Sequence, residues 1–259
     1  MIQQTTQQPL WLQYSRLCDL PAWDDGLNWL SGPERVECDH WRSPIRRQAW
    51  LSGRWIAKQM VCQRWSLDSE SMPDISIRSI DQNGQAVRPS IEIQGVPETA
   101  YCLSITHTEK AVLVALSNTS ATRVGIDLCD QKDLPDSFAQ TWFTPLERQQ
   151  LDSLADDPDA YPHEAVVEKT RLRTNWITKT WATKESIYKA YNRGEPFAPL
   201  QIEVFWDAKT PVCRYGDHLF GDELQLTTWN VDNHIAVSAV IVESTVGQEM
   251  ETFLRESIS

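Results

Sequence analysis

An α+β fold of two similar lobes is expected, because each half of the sequence offers one long helical pattern and about three short strands. The first helical pattern is SPIRRQAWLSGRWIAKQMVCQRW (43–65), which spaces Ile45, Ala49, Ile56 and Val61 as a helix would after a Ser-Pro start. Its counterpart is NWITKTWATKESIYKAYN (175–192), stopped by Gly194 and Pro196. Short runs that alternate or are wholly apolar, each ending at turn residues, supply the strands on both sides. Each lobe is then a small antiparallel sheet packed on a long helix, with lobes at 1–123 and 124–259.

The elements follow in order. DISIRSI (74–80) alternates as a strand and breaks at the turn signal DQNG. YCLSITH (101–107) and AVLVALS (111–117), separated by polar residues, read as a hairpin. RVGIDLC (123–129) is a further strand that carries Asp127 near its end. TPLERQQLDSL (144–154) begins as a helix should, since Thr144 and Glu147 have capping-box spacing. ADDPDAYPHE (155–164), with Pro158 and Pro162 among acids, reads as an exposed loop. QIEVFW (201–206), ELQLTTWNV (223–231) and HIAVSAVIVE (234–243) complete the second set of strands.

Composition narrows the function. With 41% apolar and 23% charged residues among 259, the chain is ordinary globular material. No run approaches the roughly 18 apolar residues that a membrane span requires. The start MIQQTTQQPLWLQY has neither the basic nor the apolar region of a signal peptide. Six scattered cysteines without a CxxC read as reduced thiols of a cytoplasmic protein, and a zinc site is not expected. A net charge of −12 argues against nucleic-acid and anionic-membrane binding. Yet His40 to Trp65 holds Arg42, Arg46, Arg47, Arg54, Lys58 and Arg64 without one acid. That island is either a solvated helix face or a site for phosphate groups or an acidic partner.

Two carboxylates stand out. Asp127 ends an apolar strand, where a charge is costly unless it is paired or bound to a cation. Glu185 lies in WATKESIYKAY (181–191), one helical turn before Lys189 and beside Lys184. On an exposed helix, Glu185 and Lys189 would be no more than a favourable surface pair. Facing a cleft, Asp127 and Glu185 are the two carboxylates that magnesium takes beside waters and substrate phosphates.

The order of these motifs resembles that of the Sfp-type 4′-phosphopantetheinyl transferases over roughly residues 45–205. The matching stretches are Thr106-His107-Thr108, Gly125-Ile126-Asp127, Phe143 to Glu147 and Trp181 to Lys189. The resemblance implies a pseudo-dimer of two α+β lobes in one monomeric chain, with the active site between them. It implies transfer of 4′-phosphopantetheine from coenzyme A to a serine of an apo carrier protein, with magnesium, releasing 3′,5′-ADP. Asp127 and Glu185 would hold the metal, and Glu185, Lys189 and His107 would be catalytic. Thr106, His107, Lys184, Lys189, Arg47, Arg54 and Arg88 would bind coenzyme A. Carrier proteins of this kind are acidic, so an acidic enzyme must dock through a local basic or apolar patch.

The chain departs from the family pattern at three places. Cys129 stands where a second acid is common, two residues after Asp127, and a thiol suits magnesium poorly. Strand period puts Cys129 on the face of Asp127 and Asp130 on the other, as a surface or turn residue. Gln85 blurs the usual Gly-Lys-Pro turn, leaving Arg88 before Pro89 as the displaced cation. The segment between Asp127 and Glu185 is also longer than usual. The alternative reading is a degenerate, non-catalytic member that binds coenzyme A or a carrier protein as a scaffold.

Overall fold

Residues 10–23, 26–80, 86–118, 122–132, 134–154, 162–191, 194–207 and 211–242 are described by the computed structural model. The Gln-rich start, the DQNG turn with Gln85, and residues 155–161 of the acidic segment lie outside them. The first half of the chain runs β1 (Leu10–Arg16), α1 (Gly32–Asp39), α2 (Pro44–Trp65), β2 (Ile75–Ile80), β3 (Ala86–Ile93), β4 (Val96–Glu98), β5 (Tyr101–His107) and β6 (Ala111–Asn118). The second begins with β7 (Thr122–Asp130), then α3 (Asp136–Trp142), α4 (Pro145–Ser153) and α5 (Pro162–Tyr191). Five short strands close it: β8 (Ile202–Trp206), β9 (Pro211–Tyr215), β10 (His218–Leu219), β11 (Leu224–Val231) and β12 (His234–Val242).

The same pairing scheme recurs in both halves. β1-β6-β5 and β2-β3-β4 are the sheets of the first half, and β7-β12-β11 and β8-β9-β10 those of the second. Every pair is antiparallel, as expected. In each half the first strand pairs with the last, so the long helix between them must pack back across the sheet. Residue 123 is the second residue of β7.

The two long helices are anchored alike. Before α2, Ser31 and Glu34 form a capping box at the start of α1, and before α5, Thr144 and Glu147 do so at α4. Each capping glutamate also accepts a backbone N–H from the neighbouring strand, Ile77 at 3.1 Å and Val204 at 2.8 Å. Each then receives a fully buried lysine from the long helix, Lys58 onto Glu34 and Lys184 onto Glu147, the latter at 2.6 Å. The lysines spend their remaining protons on carbonyls: Lys58 on Trp29 and Met72, Lys184 on Trp142 and Pro199. A buried ion pair survives the loss of water only when its other hydrogen bonds are met, and here they are.

Three sequence expectations change. α5 starts at Pro162, well before residue 175, so the C-terminal end of the acidic segment is helix and not loop. Proline at a helix's first position has no hydrogen bond to lose, so it begins helices as readily as it breaks them. The basic island does not stand alone, because α1 brings Glu34 and Glu37 against Lys58 and Arg54. Asp130 is not a free surface residue: its carboxylate lies 3.0 Å from Nε2 of the buried His234.

Candidate active site

Strand β7 approaches α5 unusually closely, and Gly125 is the reason. A Cβ at Gly125 would overlap the Ser186 carbonyl oxygen and the Ala190 amide nitrogen, so any side chain here would push strand and helix apart. Asp127, two residues on and on the same face, is therefore brought against the side chains of the same turn of α5. Its Oδ1 accepts from Lys189 Nζ at 2.7 Å and from the Thr106 hydroxyl of β5 at 2.9 Å. One carboxylate oxygen thus ties β5 and α5 to β7. Glu185, one turn before Lys189, places its Oε2 3.5 Å from the same ammonium.

This cluster is electrostatically tense. Burial, then the negative charge of Asp127, push the Glu185 carboxyl up to about 7, against the pull of Lys189. Burial would lower Lys189, but the two carboxylates outweigh it and hold its pKa above the ordinary lysine value. His107 opens at the end of β5 onto the cleft. Crowding by the cleft walls, then the charges of Lys189 and Arg54, lower its pKa and favour the neutral ring. Cys129 is pushed up to about 12 by burial and then by Asp127, Glu185 and Asp130, so its thiol keeps its proton at neutral pH.

Three cavities lie in series, two of them between the halves of the chain and one within the first half. The middle one, 380 Å³, is lined by Arg54, Arg88, His107, Tyr188 and Lys189 among others. Trp41 belongs both to it and to a 210 Å³ cavity with Trp23, Arg42 and Arg47. His107 belongs both to it and to a 370 Å³ cavity under the start of α2, beside Cys129. Arg54 is nearly buried over the Trp50 ring and bonds Glu37 at 3.1 Å and the Ser79 hydroxyl. Burial lowers its pKa to about 10, which still leaves a cation at neutral pH. Arg88 donates to the Lys189 and Ala190 carbonyls at 2.6 and 2.7 Å, so its positive charge sits at the negative end of α5. The Nε of both arginines is buried with no partner among the described residues.

The structure therefore gathers Thr106, His107, Asp127, Glu185, Lys189, Arg54 and Arg88 around one cleft, with Arg47 one cavity away. Lys184 is not among them, because it points into the core toward Glu147. Adjacent helix residues are separated by about 100°, so Lys184 and Glu185 cannot both face the cleft. The reasoning from sequence missed Glu37 and Ser79, which orient Arg54. The Ser31-to-Glu34 spacing, identical to that of Thr144 and Glu147, was the available signal for α1.

Residues 123–240 match the model of the 4′-phosphopantetheinyl transferase superfamily, ACPS. Over those residues the resemblance read from the motifs is matched at the level of that superfamily. The matched span runs from β7 into β12 and contains Asp127, Glu185 and Lys189. No curated protein matches the chain. Solved structures that resemble it in part include the holo-[acyl-carrier-protein] synthase (AcpS) of Thermotoga maritima. Identity there is 19% over 47% of this chain, with a TM-score of 0.34, and this chain spans 64% of the length of that one. The ACPS–CoA complex of Chronobacterium ammoniagenes resembles it at 21% identity and a TM-score of 0.33, over 48% of this chain and 99% of that one.

Proposed function

We propose that this protein is a two-lobed, Sfp-like 4′-phosphopantetheinyl transferase that moves the phosphopantetheine group of coenzyme A onto a serine of an apo carrier protein. The observation that carries the reading is the Asp127–Lys189–Glu185 cluster at a cleft lined by Arg54, Arg88 and His107. Magnesium fits the cluster: two facing carboxylates, one pushed up to about 7 partly by the other, are a donor pair whose repulsion a divalent cation relieves. Asp127 and Glu185 would hold the ion, which when bound supplies charge stabilisation at the diphosphate. Among the described residues no group of three or more His, Cys, Asp or Glu side chains could hold a metal, so waters and substrate oxygens would complete its shell.

The chain's own groups then take these parts. Glu185 accepts the proton of the serine hydroxyl, directly or through a water, as that oxygen attacks the β-phosphorus. The bond from that phosphorus to the bridging oxygen breaks, and 3′,5′-ADP leaves with the electron pair. Lys189 neutralises the growing charge on the leaving phosphate, and neutral His107 donates a ring N–H to a phosphate oxygen. Arg54 and Arg88 line the same cavity and add two positive charges to it. Carrier protein incubated with coenzyme A, magnesium and this protein should gain about 340 Da, the mass of the transferred group. Coenzyme A binding without that gain, across several carriers, would favour the scaffold reading.

A further inference from the structure

Arg88 stands where the family resemblance implies a coenzyme A ligand, yet its donors are turned toward the protein. We infer that Arg88 is a positioning residue: it holds the last turn of α5 from the first half of the chain and so aims Lys189 at Asp127. The inference rests on the proposed transferase reading. Its origin is a break in the strand ladder. Arg78 pairs with Ser90 and Ile80 with Ala86, which leaves Ser79 alone against Val87, Arg88 and Pro89. Proline has no N–H to give the ladder and keeps the residue before it extended, and a bulge of this kind re-aims the side chains it carries. Ser79 meets Arg54 with its hydroxyl, while Arg88 reaches across to α5.

The guanidinium is spent there. α5 ends at Tyr191, so the carbonyls of Lys189 and Ala190 are among the last four, which a helix cannot satisfy by itself. Both protons of Arg88 Nη2 go to them, at 2.6 and 2.7 Å, across 101 and 102 residues of chain. Nε is enclosed, and Nη1 touches the Cys102 sulfur at 3.8 Å. A phosphate in the cavity feels the charge of Arg88 but meets at most its Nη1 edge. The same turn of α5 is gripped by β7, because Gly125 leaves room for the Ala190 amide nitrogen and no side chain of its own. Ala190 is thus held by β7 at its amide and by β3 at its carbonyl. Lys189 is held by Arg88 at its carbonyl and by Asp127 at its ammonium, 2.7 Å away. Release of the carbonyl lets the backbone of Lys189 shift, and a shift of about 1 Å at a reacting group can cost about 100-fold.

The test separates charge from placement. Arg88→Lys keeps the positive charge in the cavity, but its shorter stem and lone ammonium do not replace the planar fork on the two carbonyls. Calorimetry should show coenzyme A bound within about twofold of the parent, while turnover at saturating coenzyme A and carrier protein falls about tenfold. In a Lys189→Gln background the same change should cost almost nothing, because residues that act as one do not add. Arg88→Gln, which lacks both charge and fork, is the second variant; its turnover should fall at least as far, again not in that background. Parental turnover of either folded variant would overturn the inference and leave the transferase reading intact. So would coenzyme A affinity weakened about tenfold in Arg88→Lys with turnover unchanged, which makes Arg88 a ligand. An equal loss of turnover with and without Lys189 would also overturn it, reducing Arg88 to general support. Absence of any mass gain on the carrier with the parent would overturn the transferase reading, and this inference with it.

Discussion

Lys189 Nζ lies 2.7 Å from Asp127 Oδ1, so the ammonium group of α5 is fastened to the carboxylate that β7 presents. The same oxygen is held by Thr106 from the other lobe. Asp127→Asn keeps the shape but removes the charge that both a metal and Lys189 need. Together with Glu185→Gln it should lower turnover by about 100-fold or more for each change, the scale of losing an electrostatic stabiliser. Full activity of either variant in chelator-treated buffer would remove the carboxylates from the chemistry.

The raised pKa of Glu185 has a consequence for stability. Between the ordinary carboxyl value of 4.5 and about 7, the unfolded chain has lost this proton and the folded, metal-free chain keeps it. Unfolding then releases a proton, so this group's contribution falls as pH rises through that window. In chelator, Glu185→Gln should melt higher than the parent at pH 8 and no higher at pH 4. A variant that melts lower at pH 8 would contradict the strain placed here on the carboxylate pair.

Lys184 belongs to the frame and not to the cleft. Lys184→Met leaves Glu147 buried without its counter-ion and should cost about 3–5 kcal/mol in denaturant unfolding. Pairing it with Glu147→Gln should recover part of that loss. Calorimetry on the double variant should show coenzyme A affinity close to that of the parent. A specific loss of coenzyme A binding from a folded double variant would return Lys184 to the ligand.

Gly125→Ala should be poorly tolerated, because the new methyl meets backbone on α5 that cannot rotate away. Overpacking of this kind costs about 1–3 kcal/mol or more, read as a lower unfolding midpoint. Turnover should fall further than stability does, since Asp127 is displaced along with the strand. An alanine variant with parental turnover would show that the close approach is not what aims Asp127.

Cys129 stands where a further acid was expected, and its thiol is held protonated. Cys129→Ala should keep turnover within about tenfold. The native thiol should resist alkylation at pH 8 in the folded protein. Rapid alkylation with loss of activity would make it a participant.

Local patterns carried much of this structure. The Ser43 start of α2, the β5–β6 hairpin, the Thr144–Glu147 cap and the Asp127 strand are each written in a few adjacent residues, and each formed where expected. What failed to show was pairing across distance. Glu37 and Arg54 are 17 residues apart and on different helices, so a run of cations without acids looked freer than it is. The early start of α5 was hidden by a proline among acids, which signals a loop and a first helical position equally well. The direction of Lys184 was hidden by its motif, since the side chain before Glu185 had been grouped with it by sequence and not by angle.

The two buried lysines offer a ruler for comparing the halves. Laying Lys58 on Lys184 puts Gln59 where Glu185 stands and Gln63 where Lys189 stands. One frame is thus built twice, yet the ionisable pair that faces Asp127 is present in a single copy. The neutral glutamines leave the first helix without a second Glu–Lys pair, while its Arg54 turns to Glu37, its Lys58 to Glu34 and its Arg64 to the Trp11 ring. In the proposed transfer one helix is the hand for the chemistry and the other for the grip, and each can vary without unmaking the other.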